Sequence, residues 1–385
     1  MNVKYGFWAI AVGTFALGIA EFGMMGILGD IAKDLDINVD KAGRLISAYS
    51  AGVAIGSPLL LSLRKLPLRT ILLILAGVIA GANAFAALSP GFFSLLVARF
   101  IAGLPHGAFF GAGAIVCTRL AAKGEGAAAV AVMIGGMTVA NVIGVPAATF
   151  VSNLLVWRYL FAIVALFGLL AFVSIRLLVP YVSPLPAGNI KREFSFLRSS
   201  APWLIYGGVF FAQAAVYCWL SYISPVMTKA AGFSLADMTW IMVLVGVGMV
   251  FGNFIAGKLA TKHSPSLVSA TIAGIMLVIL PLMYFFGDIK LAALLLAFVA
   301  SACLFGVGGP PQYLIVGFSK GGEMLGAAGI QIAFNVSNAT SAAIGGLVIN
   351  RGYGVESTAL TGIPFALTGM VCFLLLYRKF RTQGA

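Results

Sequence analysis

Apolar runs of about 20 residues, separated by short polar intervals, recur from one end of this chain to the other. Because a helix rises about 1.5 Å per residue, such a run is long enough to cross a hydrocarbon core of about 30 Å. The first run carries Glu21 and is too long for a signal peptide, so we expect it to be retained as helix 1. The pattern predicts an all-α membrane protein with twelve transmembrane helices, at residues 5–28, 42–63, 70–88, 92–118, 127–154, 159–179, 202–227, 238–259, 266–287, 291–318, 324–349 and 357–377.

The longest polar interval between predicted spans divides the chain into two halves with six spans each. This interval contains prolines, a glycine and a basic pair, a composition typical of linkers. We therefore predict an N-terminal six-helix bundle at 1–180, a cytoplasmic linker at 181–201 and a C-terminal six-helix bundle at 202–385.

A glycine pair indicates weak similarity between the two halves. Gly52 and Gly56 lie four residues apart in helix 2, and Gly248 and Gly252 repeat that spacing in helix 8 at an offset of 196 residues. An internal repeat of this kind is typical of transporters built from two related bundles. It predicts that the two six-helix bundles are pseudo-symmetric.

Composition and charge agree with a polytopic membrane protein. Hydrophobic residues make up 61% of the chain and charged residues 9%, against about 25% charged in soluble domains. Sixteen of the 24 lysines and arginines fall on the side that also carries both termini, so that side is predicted to be cytoplasmic. The net charge of +13 would then face anionic headgroups, and it gives no evidence for nucleic acid.

Glu21 is the only acidic residue inside a predicted span, and Arg99 lies at a matching depth in helix 4. Ionisable residues are costly inside a bilayer, at about 2.5 to 3.5 kcal/mol on insertion scales, and they mark ion or proton pathways. His106 follows seven residues after Arg99 on the same helix face. These three residues are the candidates for proton coupling.

Two interpretations of Glu21 and Arg99 remain open from the sequence. Burial favours the neutral form of a carboxyl group, whereas a neighbouring arginine favours the charged form, so Glu21 could exchange a proton as a substrate enters. Alternatively, the two residues form a static ion pair that holds helix 1 against helix 4. His106 has its own structural alternative, a hydrogen bond to a nearby backbone carbonyl.

Polar and aromatic residues within the spans are the candidates for substrate contact. Amides in helix 11 step by four and three residues, which forms a polar stripe that must face protein or water because lipid would penalise it. Amides with aromatic rings suit either sugar hydroxyls or amphipathic drugs. The candidates are Thr14 and Asn141 in the first half, with Gln213, Tyr217, Trp219, Asn253, Gln312, Gln331, Asn335 and Asn338 in the second.

Helix 5 has small residues at a spacing of four, Gly136, Ala140 and Gly144, followed by Pro146. Such a face allows another helix to approach closely. Its roles are helix packing and the rocking of the two halves that transport requires.

Four stretches in order, at 20–32 (AEFGMMGILGDIA), 98–111 (ARFIAGLPHGAFFG), 136–146 (GMTVANVIGVP) and 157–159 (WRY), carry a family resemblance. The chain resembles the AraJ-like, arabinose-efflux branch of the major facilitator superfamily, among the twelve-helix drug/proton antiporters. The likeness is strongest over about residues 10 to 180. The resemblance implies the major facilitator fold, a bacterial inner membrane location and secondary transport.

The resemblance also implies roles for individual residues. Arg99 and Glu21 match the family's proton-coupling arginine and its membrane acid. The helix 5 glycines and Pro146 match the antiporter motif, although this chain has Gly-Val-Pro where many antiporters have Gly-Pro. Arg64 and Lys65 keep the basic character of the cytoplasmic gate, but the gate's usual aspartate is missing.

Proton-coupled efflux (antiport) of a sugar or a small amphipathic, drug-like compound by alternating access is the predicted function. The alternative is a passive facilitator or importer on the same fold, in which Glu21 and Arg99 are structural. An enzyme is not expected, because the chain has no metalloprotease motif and no convincing pair of nucleophile and base. We also expect no cofactor, no metal and no oligomer, since one chain suffices for alternating access.

Overall fold

A computed structural model describes residues 4–58, 62–63, 65–122, 126–184, 194–319 and 322–380, which are helical with connecting turns and contain no strand. Residues 185–193 of the predicted linker lie outside this set. The longer helices are α1 (Lys4–Gly26), α2 (Leu28–Asp34), α3 (Val39–Gly56), α4 (Leu68–Ala87), α5 (Phe92–Gly103), α6 (Pro105–Leu120), α7 (Gly126–Val139), α8 (Val145–Leu154), α9 (Arg158–Leu178), α10 (Ser200–Leu220), α11 (Met238–Lys262), α12 (Pro265–Phe286), α13 (Lys290–Gly306), α14 (Gly309–Phe318), α15 (Glu323–Asn350), α16 (Thr358–Thr361) and α17 (Ile363–Phe380).

Eleven segments in the described part of the chain are long and apolar enough to cross a membrane. The second predicted span, 42–63, overlaps α3 over residues 42–56, and α3 is not among the eleven. This helix has 18 residues but starts with Asp40, Lys41 and Arg44, so its mean hydropathy is lowered at one end. The all-helical membrane fold predicted from the apolar pattern is confirmed, and α3 accounts for the difference between twelve and eleven.

The first compact unit comprises Met1–Asp36 and Ala48–Ala187. Within it, α1 packs against α7 and α9, and α9 also packs along α4. Leu17, Phe161 and Val164 are fully buried at the centre of this packing. Burying such side chains supplies close contacts that fix one helix against the next.

The second compact unit comprises Ile37–Ser47 and Gly188–Ala385. Within it, α10 packs against α15 and α17, α11 packs against α13, and α12 packs against α17. The hydroxyl of Tyr222, just beyond α10, donates a hydrogen bond of 2.6 Å to the carbonyl oxygen of Ala342 in α15. A satisfied tyrosine hydroxyl of this kind fixes the two helices against each other.

The repeated glycine pairs occupy equivalent contacts in the two units. A Cβ atom at Gly52 or Gly56 would collide with carbonyl oxygens at the end of α5 and just after it. A Cβ atom at Gly248 or Gly252 would meet carbonyl oxygens of α13 in the same way. In both units, therefore, the absence of a side chain lets one backbone lie directly on another.

Proline interrupts two predicted spans in the first unit. The span predicted at 92–118 is divided at Leu104 into α5 and α6, because Pro105 has no N–H with which to continue the α5 ladder. The span predicted at 127–154 contains a π-helical turn, Ala140–Gly144, just before Pro146. Both interruptions lie next to candidate site residues, namely His106 and Asn141.

A polar clasp joins α2, the start of α9 and the turn after α4. The Trp157 indole N–H donates to Asp34 Oδ2 at 2.7 Å, and the Arg158 guanidinium donates to the same oxygen at 2.8 Å. Arg158 also donates to the carbonyl oxygen of Ser89 at 3.3 Å. The bond from Trp157 and the charge-assisted bond from Arg158 hold the pKa of Asp34 below its usual range.

Replacing Asp34 with asparagine should lower the stability of the protein by about 1 kcal/mol, because the clasp is partly exposed and screened. A group whose pKa is lowered by folding stabilises the protein above its unfolded pKa, near 4, and that contribution is lost as the pH falls through the folded value. Thermal unfolding in detergent between pH 7 and pH 3 should therefore show the difference between wild type and Asp34→Asn shrinking below about pH 4. Asp36→Asn is the matched control, and an equal effect of both substitutions would contradict the clasp.

Candidate functional site

Four polar side chains from four helices meet inside the first unit, and we call them the buried cluster: Glu21 of α1, Tyr49 of α3, Arg99 of α5 and His106 of α6. Glu21 is 7% exposed, His106 2%, Tyr49 1% and Arg99 0%. The break at Leu104 starts a new helix at Pro105, so His106 lies in its first turn. These low exposed fractions keep the four side chains away from bulk water.

His106 lies between Glu21 and Tyr49. Its Nδ1 atom is 2.8 Å from the Tyr49 hydroxyl oxygen, and its Nε2 atom is 3.8 Å from Glu21 Oε2. When the ring proton is on Nε2, the tyrosine hydroxyl donates to Nδ1 and the N–H faces the carboxyl group. A gap of 3.8 Å exceeds a direct hydrogen bond, and a small side-chain movement closes it.

Arg99 lies beside Glu21 without forming the ion pair that the sequence suggested. Its Nη1 atom donates to the carbonyl oxygen of Ala20 at 2.9 Å, and its guanidinium carbon is 4.2 Å from the centre of the Tyr49 ring. Among the described residues, no carboxylate oxygen comes within 4.0 Å of its nitrogens, and Nε and Nη2 have no hydrogen-bond acceptor. Two buried guanidinium nitrogens therefore have N–H groups available to an anion.

The buried cluster places a group that can bind a proton, the Glu21 carboxyl group, near the positively charged guanidinium of Arg99. Glu21, His106 and Tyr49 all carry exchangeable protons and are aligned in that order. Arg99 is close enough to Glu21 for their charges to interact. Ionisation of Glu21 would therefore change its interactions with both His106 and Arg99.

Sequence reasoning brought Glu21, Arg99 and His106 to the same region but missed Tyr49. A single tyrosine in the apolar part of α3 has the same pattern as an ordinary core residue, so it carried no signal of its own. The one available indication was its position. Tyr49 lies seven residues before Gly56, so it is on the same helix face as a glycine that packs on α5.

The small residues of the fifth predicted span, which lie in α7 and in the π-helical turn after it, form a packing surface for α1. A Cβ atom at Gly136 would collide with the carbonyl oxygen of Ala11, and one at Gly144 would lie 2.8 Å from the ring of Phe15. Thr14 is fully buried and donates to the carbonyl oxygens of Ala11 and Met133, at 3.0 and 2.5 Å. Its hydroxyl thus joins α1 to α7, and a role in substrate contact stays a prediction.

Asn141 differs from Thr14, because it is 3% exposed and its Oδ1 atom has no hydrogen-bond partner. It lies in the π-helical turn before Pro146, a buried residue that cannot donate a backbone hydrogen bond. Irregular helical turns of this kind occur frequently at functional sites.

The predicted substrate residues of the second half differ in how deeply they are buried. Gln213 is buried and donates to the carbonyl oxygen of Leu304 at 2.7 Å, and Asn335 donates to that of Gln331 at 2.9 Å. Asn335 Oδ1 and both polar atoms of Asn338 are buried without partners. Tyr217 and Trp219 are buried, Gln312 and Gln331 half-buried, and Asn253 exposed.

The predicted gate pair is only partly visible: Arg64 lies outside the described residues, and Lys65 is exposed in a turn before α4. No three His, Cys, Asp or Glu side chains of the described part of the chain come together as a metal site would need.

An all-helical protein with eleven membrane-length segments and a buried titratable cluster is a polytopic membrane protein with the features of a solute transporter. The Major Facilitator Superfamily profile matches residues 10–330. This chain belongs to that superfamily.

Individual relatives agree with this assignment. The chain is 41% identical to the Putative transporter AraJ of Escherichia coli (strain K12) over 378 residues, covering 98% of this chain and 96% of the relative. It is 28% identical to a Chloramphenicol resistance protein of Streptomyces lividans, covering 95% of each chain. The family and branch suggested by the sequence motifs are confirmed, and these relatives are transport and resistance proteins rather than enzymes.

A solved structure has the same fold. The bacterial homologue of the human lysosomal transporter Spinster superposes with a TM-score of 0.79 at 14% identity, covering 100% of this chain and 99% of that one. At this identity the likeness shows the fold alone. Family and fold together make the chain a multi-pass membrane transporter.

Proposed function

We propose that this protein is a proton-coupled exporter of a sugar or a small amphipathic compound that works by alternating access. The buried cluster is the observation that carries this proposal. Keeping an acid, a histidine and an arginine away from water is costly, and it rarely improves stability over apolar packing. A role in proton exchange would explain why these costly buried groups are present.

The coupling step follows from the contacts of Glu21. When Glu21 loses its proton, the carboxylate can accept from the unpaired Nε and Nη2 groups of Arg99, which draws α1 and α5 together. When Glu21 takes up a proton, that attraction disappears and His106 faces a neutral acid. Protonation therefore changes the preference between two helix arrangements, which is the requirement for coupling a proton to a solute.

The substrate class is inferred from the polar atoms that the fold leaves unpaired. Asn141 in the first unit, and Asn335 and Asn338 in the second, have buried amide atoms without partners. Such groups suit hydroxyl or carbonyl oxygens of a small polar molecule. The two relatives, a putative transporter named AraJ and a chloramphenicol resistance protein, support export of a sugar or of a drug-like compound.

A passive facilitator is the second candidate, and one contact favours it. Arg99 is bonded to the carbonyl oxygen of Ala20, which is what a structural brace between α1 and α5 would do. In that case Glu21 only balances the charge of the arginine, and no proton moves with the substrate.

The protein's setting is also proposed. The basic residues concentrate on one side of the predicted topology, so both termini face the cytoplasm, where anionic headgroups contact the basic loops. The motif resemblance supports a bacterial inner membrane. One chain contains both bundles, so a monomer suffices.

The test is transport by purified protein in liposomes that enclose a pH-sensitive dye and carry an imposed pH gradient. Pentoses, arabinose oligomers and lipophilic drugs, chloramphenicol among them, are offered in turn. We expect one compound class to cross in exchange for protons, in the opposite direction, and to dissipate the gradient faster than in protein-free liposomes. Flux of a compound without any proton movement would instead establish the facilitator.

A further inference from the structure

Two adjoining cavities lie at one end of the second unit. The first, with a volume of about 750 Å³, lies among α11, α12, α14 and α17 and is lined by Lys262, His263, Ser264 and Ser266 with apolar residues behind them. The second, of about 430 Å³, runs along α11, α12 and α13. His263 borders both, so the two cavities adjoin at this residue.

The first cavity is suited to an anion. Lys262 and His263 are exposed at its edge, and no Asp or Glu stands among the described residues that line either cavity. The hydroxyls of Ser264 and Ser266 lie 2.9 Å apart at the start of α12, a helix of 22 residues whose N-terminus carries partial positive charge. Positive charge and hydrogen-bond donors therefore converge on one space.

The second cavity is an apolar groove that opens to the lipid. Its lining on α11 runs from Phe251 to Leu259, about 12 Å along the helix at 1.5 Å per residue, and His263 follows just beyond the helix. Phe251, Ile255 and Leu259 are 51%, 39% and 41% exposed. Exposed apolar side chains in a membrane protein face acyl chains, so this groove is continuous with the surrounding bilayer.

We propose that these two cavities form a binding site for one anionic phospholipid. The phosphate group binds at Lys262, His263 and the serine hydroxyls, and an acyl chain lies in the groove beside Ile255 and Leu259. The site is at the end of the unit that the basic residues assign to the cytoplasm, where anionic headgroups are found. The apolar rim excludes a free soluble anion as the occupant that uses the whole site.

The site is tested by native mass spectrometry of the purified protein after incubation with phosphatidylglycerol or with phosphatidylcholine of the same chains. We expect phosphatidylglycerol to be retained at one copy in preference to phosphatidylcholine. Lys262→Gln should reduce retention about fivefold, since one basic residue contributes about 1 kcal/mol to the binding of an anionic lipid. Lys229→Gln, in the π-helical turn Val226–Ala230 that precedes α11 and outside both cavities, is the matched control and should change nothing.

A second variant tests the groove separately. Thr271 is exposed and lines the groove but not the basic cavity, so Thr271→Trp fills the groove and leaves the basic residues in place. It should weaken retention of long-chain phosphatidylglycerol and leave retention of the dihexanoyl form unchanged. Equal retention of both lipid types, or full competition by glycerol phosphate, would overturn the proposal. Neither readout depends on transport, so the result is independent of the proposed function.

Discussion

Glu21→Gln is expected to reduce proton-coupled transport to the level of protein-free liposomes. Glutamine has the shape of protonated glutamic acid but cannot release a proton, so the cluster is held in one state. Arg99 keeps its bond to Ala20 and its position over the Tyr49 ring, and the change in folding stability should stay within about 1 kcal/mol. A loss of transport without a loss of stability would then assign the proton to Glu21.

The measurement compares uphill substrate movement and internal pH for wild type, Glu21→Gln and Glu356→Gln. The last makes the same chemical change in the second unit, at a residue outside the buried cluster, and should transport as wild type does. Tyr49→Phe removes only the hydroxyl bonded to His106 and should slow transport while leaving it coupled. Wild-type coupling in Glu21→Gln would show that Glu21 carries no transported proton.

The depth of the buried cluster followed from counting residues along helices, but its contacts did not. Glu21 and Arg99 lie at the same level because each is about seven residues from the same end of its span. Counting gives no information on how each helix is rotated or which rotamer is used. The break before Pro105 starts a new helix, and this brings His106, rather than Arg99, to the Glu21 carboxyl group.

Other features needed the three-dimensional structure for a similar reason. Trp157 and Arg158 were recognised only as part of a sequence motif, because their partner Asp34 is more than 120 residues away in the chain. The lipid-facing groove was also invisible, since its apolar residues have the pattern of any membrane span. The apolar runs, by contrast, are a local property of the sequence, so the helices themselves were predicted well.

Arg99→Leu is expected to abolish coupled transport and to destabilise the protein by about 3 kcal/mol, because it removes a buried charge on which Glu21 depends. The decisive variant is the double substitution Glu21→Gln with Arg99→Leu, which removes both charges from the cluster. The double variant should recover much of the lost stability, since neither residue is left as an uncompensated charge. It should recover no uphill transport, because no group remains that can exchange the proton.

Stability and transport thus separate the two interpretations of the cluster. A double-mutant cycle compares the thermal unfolding of wild type, Glu21→Gln, Arg99→Leu and the double variant. It gives the coupling free energy between Glu21 and Arg99, expected at about 1 to 3 kcal/mol. Liposome assays on the same samples give the coupling to transport. A structural brace predicts that the two readouts recover together in the double variant, with substrate crossing at the wild-type rate. A proton-coupling site predicts that stability returns and transport does not, because the charge balance can be restored without the carboxyl group whereas proton exchange cannot.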